Sequence, residues 1–93
     1  MLHIVKNSHQ LFQLNSYLLP SDGILLVEDA VYLANDKHVA HESLEKITNQ
    51  IFILEDDLRA RGLMSVNLSP FHLVDFEGFV DLTIQHPQAM TWD

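Results

Sequence analysis

The chain has 93 residues, 47% of them apolar, with three prolines and no cysteine, which sets aside both extensive disorder and any staple made of disulfides or thiolate-bound metal. Five Lys and Arg stand against thirteen Asp and Glu, split as three against six in residues 1–46 and two against seven in residues 47–93. With a net charge of −8 and no basic cluster in either half, the chain is not built to bind a nucleic-acid backbone or an anionic membrane surface.

Leu2-His3-Ile4-Val5 is short and β-rich and predicts a first strand. It is also too short for the apolar core of a signal peptide, and no run approaches the roughly 18 apolar residues of a membrane helix, so the chain is expected to stay in the cytoplasm as a single domain, 1–93. A domain of this length buries only about 60–65% of its unfolded surface, so association with other subunits is an expected source of stability. Asn7 and Ser8 are good N-cap types, and Leu11, Leu14 and Leu18 follow at i, i+3, i+7, predicting a first helix that stops at the turn cluster Pro20-Ser21-Asp22-Gly23. The apolar run Ile24 to Val27 suits a strand covered on both faces, and Glu28-Asp29 follow it directly.

In "DAVYLANDKHVAHESLEKITN", Ala40, Leu44 and Ile47 fall at i, i+4, i+7 and predict a second helix ending near Thr48 or Asn49. "IFILEDD" repeats the arrangement of four apolar residues followed by acids. "DDLRARGL" reads as about two turns of helix with Asp56 and Asp57 at the end favoured by the macrodipole and Gly62 as its closing C′ residue. "FHLVD" is a fourth strand. Phe76, Phe79, Val80, Thr83 and Ile84 then predict a final amphipathic helix, capped by Asp75 and stopped at His86-Pro87.

Alternation of strands and helices argues for an α/β fold: a small, mostly parallel sheet of four to five strands with helices on both faces, like one half of a flavodoxin-like domain. Functional groups in such sheets gather at the carboxyl ends of strands, which here carry Glu28-Asp29, Glu55-Asp56 and Asp75. The same acids suit the first turns of the helices that follow, so capping is the structural alternative.

Candidate chemistry is sparse. His38 and His41 form an H-x-x-H pair, but a zinc site needs a third protein ligand, and neither an H-E-x-x-H pattern nor a cysteine supplies one. His3 and His72 lie inside strands, where a histidine is more often a satisfied core or contact residue than a base. His86 sits at a helix C-terminus, where the dipole favours a protonated ring. There is no G-x-S-x-G elbow, no glycine-rich phosphate loop, and no sign of an apolar pocket that would raise one of the paired carboxylates for acid–base work. No catalytic residue, no cofactor and no metal are expected.

The segments "MLHIV", "LLVEDAVYLA", "LEDDLRARGL" and "DFEGFVDLTIQHPQAMTWD" together resemble the TusB/DsrH family of sulfur-relay subunits, in order and along the whole length. That resemblance implies a subunit similar in fold to its TusC-like and TusD-like partners and joined with them in a TusBCD heterohexamer, a dimer of heterotrimers. Such a complex passes persulfide sulfur from TusA towards TusE, serving the 2-thiolation of wobble uridine in tRNA, whereas the related DsrEFH complexes handle sulfur in sulfur-oxidising bacteria. Persulfide transfer requires a thiolate, and this chain has no cysteine to supply one. Some DsrH relatives carry a cysteine in the first helix; here that region reads "LFQLNSYLL", which puts a DsrH-type carrier role in doubt and favours the Tus branch.

After His86-Pro87 the chain keeps Met90 and its single tryptophan, Trp92. A tail folded onto its own sheet and a tail packed on another subunit both account for them, and the resemblance makes His86, Met90 and Trp92 the candidate subunit contact. Two other readings stay open: a stand-alone homo-oligomeric adaptor, and a small metal-binding protein using His38, His41 and nearby acids.

Overall fold

Five short apolar runs become parallel strands: β1 (Leu2–Val5), β2 (Gly23–Leu26), β3 (Ile51–Leu54), β4 (His72–Val74) and β5 (Ala89–Trp92). They form one sheet in the order β4-β3-β2-β1-β5, every neighbour parallel. This computed structural model describes residues 1–35, 37–64 and 71–92.

Successive strands step outward from β1 to β4, and the chain then returns to the other side of β1 to place β5. The two-residue period of each strand sorts the core into two layers. On one face Val5, Ile24, Leu26, Ile51, Ile53 and Trp92 pack against Leu11, Leu14, Val31, Leu44 and Leu58 from the covering segments. On the other, Leu2, Leu25 and Val27 meet Leu82, with Ile4, Phe52, Leu54, Val74 and Phe79 only partly buried. The first layer is covered by α1 (Leu11–Asn15), a 3-10 helix (Glu28–Ala34), α2 (His41–Glu45) and α3 (Glu55–Ala60), the second by α4 (Phe76–Gln85). Each fully buried leucine in these layers contributes about 1.5–3 kcal/mol of transfer free energy.

Helix starts and stops follow local chemistry. The Asp75 side chain accepts from the Gly78 N–H at 2.8 Å and starts α4. Asn7 accepts from the His9 N–H at 3.1 Å, opening a 3-10 turn, Ser8–Gln10, that leads into α1. Gly62, at φ +69 with nothing within 4 Å of a built Cβ, closes α3 in the left-handed region that its lack of a side chain permits.

Two predicted helices are shorter than their leucine spacing suggests. The first ends at Asn15, and Leu18 packs on the core from an irregular segment. The second splits into the 3-10 helix and the five-residue α2, which ends before Thr48. Side chains compete with the helical ladder between these pieces: Asn35 Oδ1 accepts from the Lys37 N–H at 3.0 Å, and His38 Nδ1 from the Ala40 N–H at 3.0 Å.

The face of α4 also differs from expectation. Phe79 and Leu82 turn towards the sheet, while Phe76, Val80 and Ile84 are exposed. The apolar arc of this helix is wider than the strip that one helix can lay against a sheet, so part of it remains in solvent.

Candidate functional site

The C-terminal tail is the edge strand β5, paired to β1 with Leu2 opposite Ala89, His3 opposite Met90 and Val5 opposite Trp92. This register puts Trp92 over the first core layer, where only 7% of it is exposed. Its indole N–H donates to Nδ1 of His3 at 3.1 Å. An indole nitrogen can only donate, so Nδ1 of His3 is the unprotonated nitrogen, and Nε2–H donates to Asp22 Oδ2 at 2.8 Å. The same carboxylate accepts the Leu19 N–H at 3.0 Å and the Met1 ammonium at 2.9 Å.

His3 and Asp22 are the two buried polar or charged side chains among the described residues, and the chain of bonds satisfies both. Burial pushes the Asp22 carboxyl upward. The hydrogen bonds from His3, the Leu19 N–H and the N-terminal ammonium outweigh it and hold the group well below the usual carboxylate range. A histidine with both ring nitrogens engaged and its ring in the core has no capacity left to act as a base on a bound molecule. Trp92, His3 and Asp22 form a structural relay that fastens β5 to β1 and to the loop before β2.

Exposed apolar side chains lie around this relay. Tyr17 lies against Trp92 with ring centres 5.6 Å apart and is itself exposed, as are Leu19 and Met90. A groove between β5 and the loop after α1 is walled by Tyr17, Leu19, Gln88 and Met90, with His3 and Asp22 behind them. The expected contact residues therefore divide. Met90 and Trp92 belong to this side, Met90 exposed and Trp92 within its own core. His86 ends α4 with its ring beside Gly23, where a Cβ would come 3.3 Å from the imidazole Nε2 and 3.5 Å from Leu2. That places His86 with the second core layer, on the opposite face of the sheet.

At the carboxyl ends of the strands the acids pair with one another's helices and with the few cations. Asp57 accepts the Glu28 N–H at 2.6 Å, Arg61 holds Asp29 at 2.9 Å, and Lys6 lies 3.8 Å from Glu28. Glu28 has φ 50, the one non-glycine residue in the left-handed region among those described, and its bond to Asp57 supports that conformation.

The H-x-x-H pair is likewise absorbed by the fold. His41 meets the Leu33 carbonyl through Nδ1 at 2.7 Å and Glu45 through Nε2 at 2.8 Å, while His38 uses Nδ1 on a backbone N–H. Among the described residues no three His, Cys, Asp or Glu side chains are grouped to hold a metal ion, and no helix is long and apolar enough to cross a membrane. No local pattern pairs His3, because Asp22 and Trp92 lie 19 and 89 positions away. Strand alternation was the available signal: it places His3 on the same face as Val5.

Comparison with known proteins covers the same stretch. The family described as "DsrH like protein" matches residues 6–89. The chain is 37% identical to Protein TusB of Escherichia coli (strain K12) over 95 residues, 99% of this chain and 100% of that one. It is 35% identical to Protein TusB of Buchnera aphidicola subsp. Baizongia pistaciae over 98 residues, and 34% identical to Protein TusB of Yersinia pestis (strain Pestoides F) over 95, with the same coverage of both chains. The chain belongs to the DsrH-like family.

Proposed function

We propose that this chain is a non-catalytic subunit of a TusBCD-type sulfur-relay complex that supports 2-thiolation of wobble uridine in tRNA. The similarity to Protein TusB along the full length of both chains carries this reading. Chemistry narrows it: without a cysteine the chain cannot hold a persulfide, so its contribution is to complete, with TusC-like and TusD-like subunits, an assembly whose carrier thiol lies on the TusD-like one. The assembly is a cytoplasmic heterohexamer, linked through its other subunits to TusA and TusE, and no cofactor or nucleic acid binds this chain directly.

The groove beside β5 supports a contact role. β5 is an open edge strand without proline or charge, and Tyr17, Leu19 and Met90 beside it are exposed apolar side chains of the kind that interfaces bury. Met90 contacts the partner directly. Trp92, buried behind it, holds the strand in place, and His86 meets the partner where the contact reaches round the start of β5.

Two measurements test the reading. Light scattering after size exclusion gives the mass of the chain alone and after co-expression with the TusC-like and TusD-like chains; a discrete complex with those chains is expected. Deleting the gene should deplete 2-thiouridine in total tRNA hydrolysates, and the wild-type gene should restore it. A stable homo-oligomer that ignores both partners, together with unchanged 2-thiouridine, would sink the proposal in favour of a stand-alone adaptor.

A further inference from the structure

Among the described residues the second face of the sheet is covered by one ten-residue helix, and that helix buries Leu82 and part of Phe79 but not the rest of its apolar side. Phe76, Val80 and Ile84 are 67%, 41% and 71% exposed. At 3.6 residues per turn their i, i+4, i+8 spacing gathers them within an arc of about 80° on one flank of α4. Phe76 stacks on Phe79, ring centres 6.2 Å apart and planes 25° from parallel, which ties this end of the stripe to the residues packed on the sheet. On the sheet face that α4 covers, Ile4, Phe52, Leu54 and Val74 remain only partly buried. Scattered apolar residues are ordinary on a surface, but three aligned on one helix flank above a partly covered sheet face are not.

The charges at this stripe specify what covers it. Asp75, Glu77 and Asp81 flank it and are exposed. No Lys or Arg follows Arg61 in the sequence, so nothing on α4 or β5 offsets those acids. A second copy docking stripe to stripe would bring like charges together with no cation from either helix to separate them. We infer that the α4 stripe is a second docking surface, separate from the groove beside β5, and that its occupant is a different subunit whose contact patch is apolar and edged by Lys or Arg.

This rests on the sulfur-relay reading above and deepens it. Because α4 and Met90 lie on opposite faces of the sheet, the chain would sit between two neighbours. Apolar side chains at the centre would carry the affinity, and the acids at the rim would speed and orient association.

The test uses the complete chain co-expressed with the TusC-like and TusD-like subunits. Phe76→Ser with Ile84→Ser is expected to weaken the recovered complex tenfold or more, on the order seen for central contact residues. Both positions are exposed, so circular dichroism and Tm of the isolated variant should match wild type. Glu77→Lys with Asp81→Lys, which leaves the stripe intact, is expected to lower the association rate and remove its salt dependence. If wild type assembles and both double variants assemble equally well, the docking surface is wrong while the sulfur-relay reading stands. If wild type does not assemble with the relay subunits at all, both fall. A wild-type dimer in isolation that Phe76→Ser with Ile84→Ser abolishes would overturn the inference in favour of self-association.

Discussion

Replacing Trp92 with Phe separates the two things that the indole does. The phenyl ring keeps most of the apolar contact with the first core layer but has no N–H for Nδ1 of His3, 3.1 Å away. A buried acceptor left without a donor costs about 1–3 kcal/mol, and the smaller ring adds roughly 1 kcal/mol of lost packing against neighbours such as Tyr17. A loss of about 2–4 kcal/mol in a domain of this size lowers Tm by roughly 10–25 °C. Trp92 is the only tryptophan, so its fluorescence disappears with it and urea or thermal unfolding must be followed by circular dichroism. The diagnostic comparison is a double-mutant cycle. In a His3→Leu background there is no imidazole to orphan, so Trp92→Phe should cost at least about 1 kcal/mol less than in wild type. An equal cost in both backgrounds, or a Trp92→Phe variant within about 0.5 kcal/mol of wild type, would refute the relay as the fastening of β5.

Asp22→Asn should make stability less dependent on pH. The folded carboxyl lies below its unfolded value of about 3.9, so the stabilisation it brings is complete above that value and is lost as pH falls towards the folded value. The gap between wild type and variant in urea midpoint should be widest near neutral pH and shrink below about pH 4; a gap that grew on acidification would reverse the sign of the argument. At Gly62, whose φ of +69 has open space around it, Gly62→Ala should cost about 1 kcal/mol through backbone strain alone and Gly62→Asn less, as measured by chemical denaturation.

Four of the strands could be read in advance because each is a run of apolar residues long enough to cross the sheet and too short for a helix. β5 could not, since Ala89, Met90 and Thr91 are all exposed at the sheet edge and only Trp92 carries the burial signal. Its identity comes from pairing with β1, a long-range match that no local pattern encodes. The second helix, expected to run to Thr48 or Asn49, is broken for a local reason, because the Asn35 and His38 side chains satisfy backbone groups that a continuous helix would have used. On α4 the spacing of apolar residues predicted a helix correctly but did not say which part of a wide apolar arc would face inward. Leu82 decided it by filling the space above Leu2 and Leu25.

In open parallel sheets a ligand crevice forms outside the carboxyl ends of the strands, where the strand order reverses. Here that point lies between β1 and β5, and the backbone closes across it: the Lys6 N–H donates to the Trp92 carbonyl at 3.2 Å. The neighbouring loops are held by Glu28, Asp29, Asp57 and Arg61, joined to one another at 2.6–3.9 Å. The position where this architecture ordinarily recognises a small molecule is thus occupied by internal pairing. Among the exposed apolar side chains, Tyr17, Leu19 and Met90 lie on one face of the sheet and Phe76, Val80 and Ile84 on the other. A domain whose two buried polar groups are paired and which keeps apolar side chains exposed on two faces has the surface chemistry of a subunit. Separate substitutions on each face should therefore disrupt assembly in the co-expressed complex without unfolding the chain.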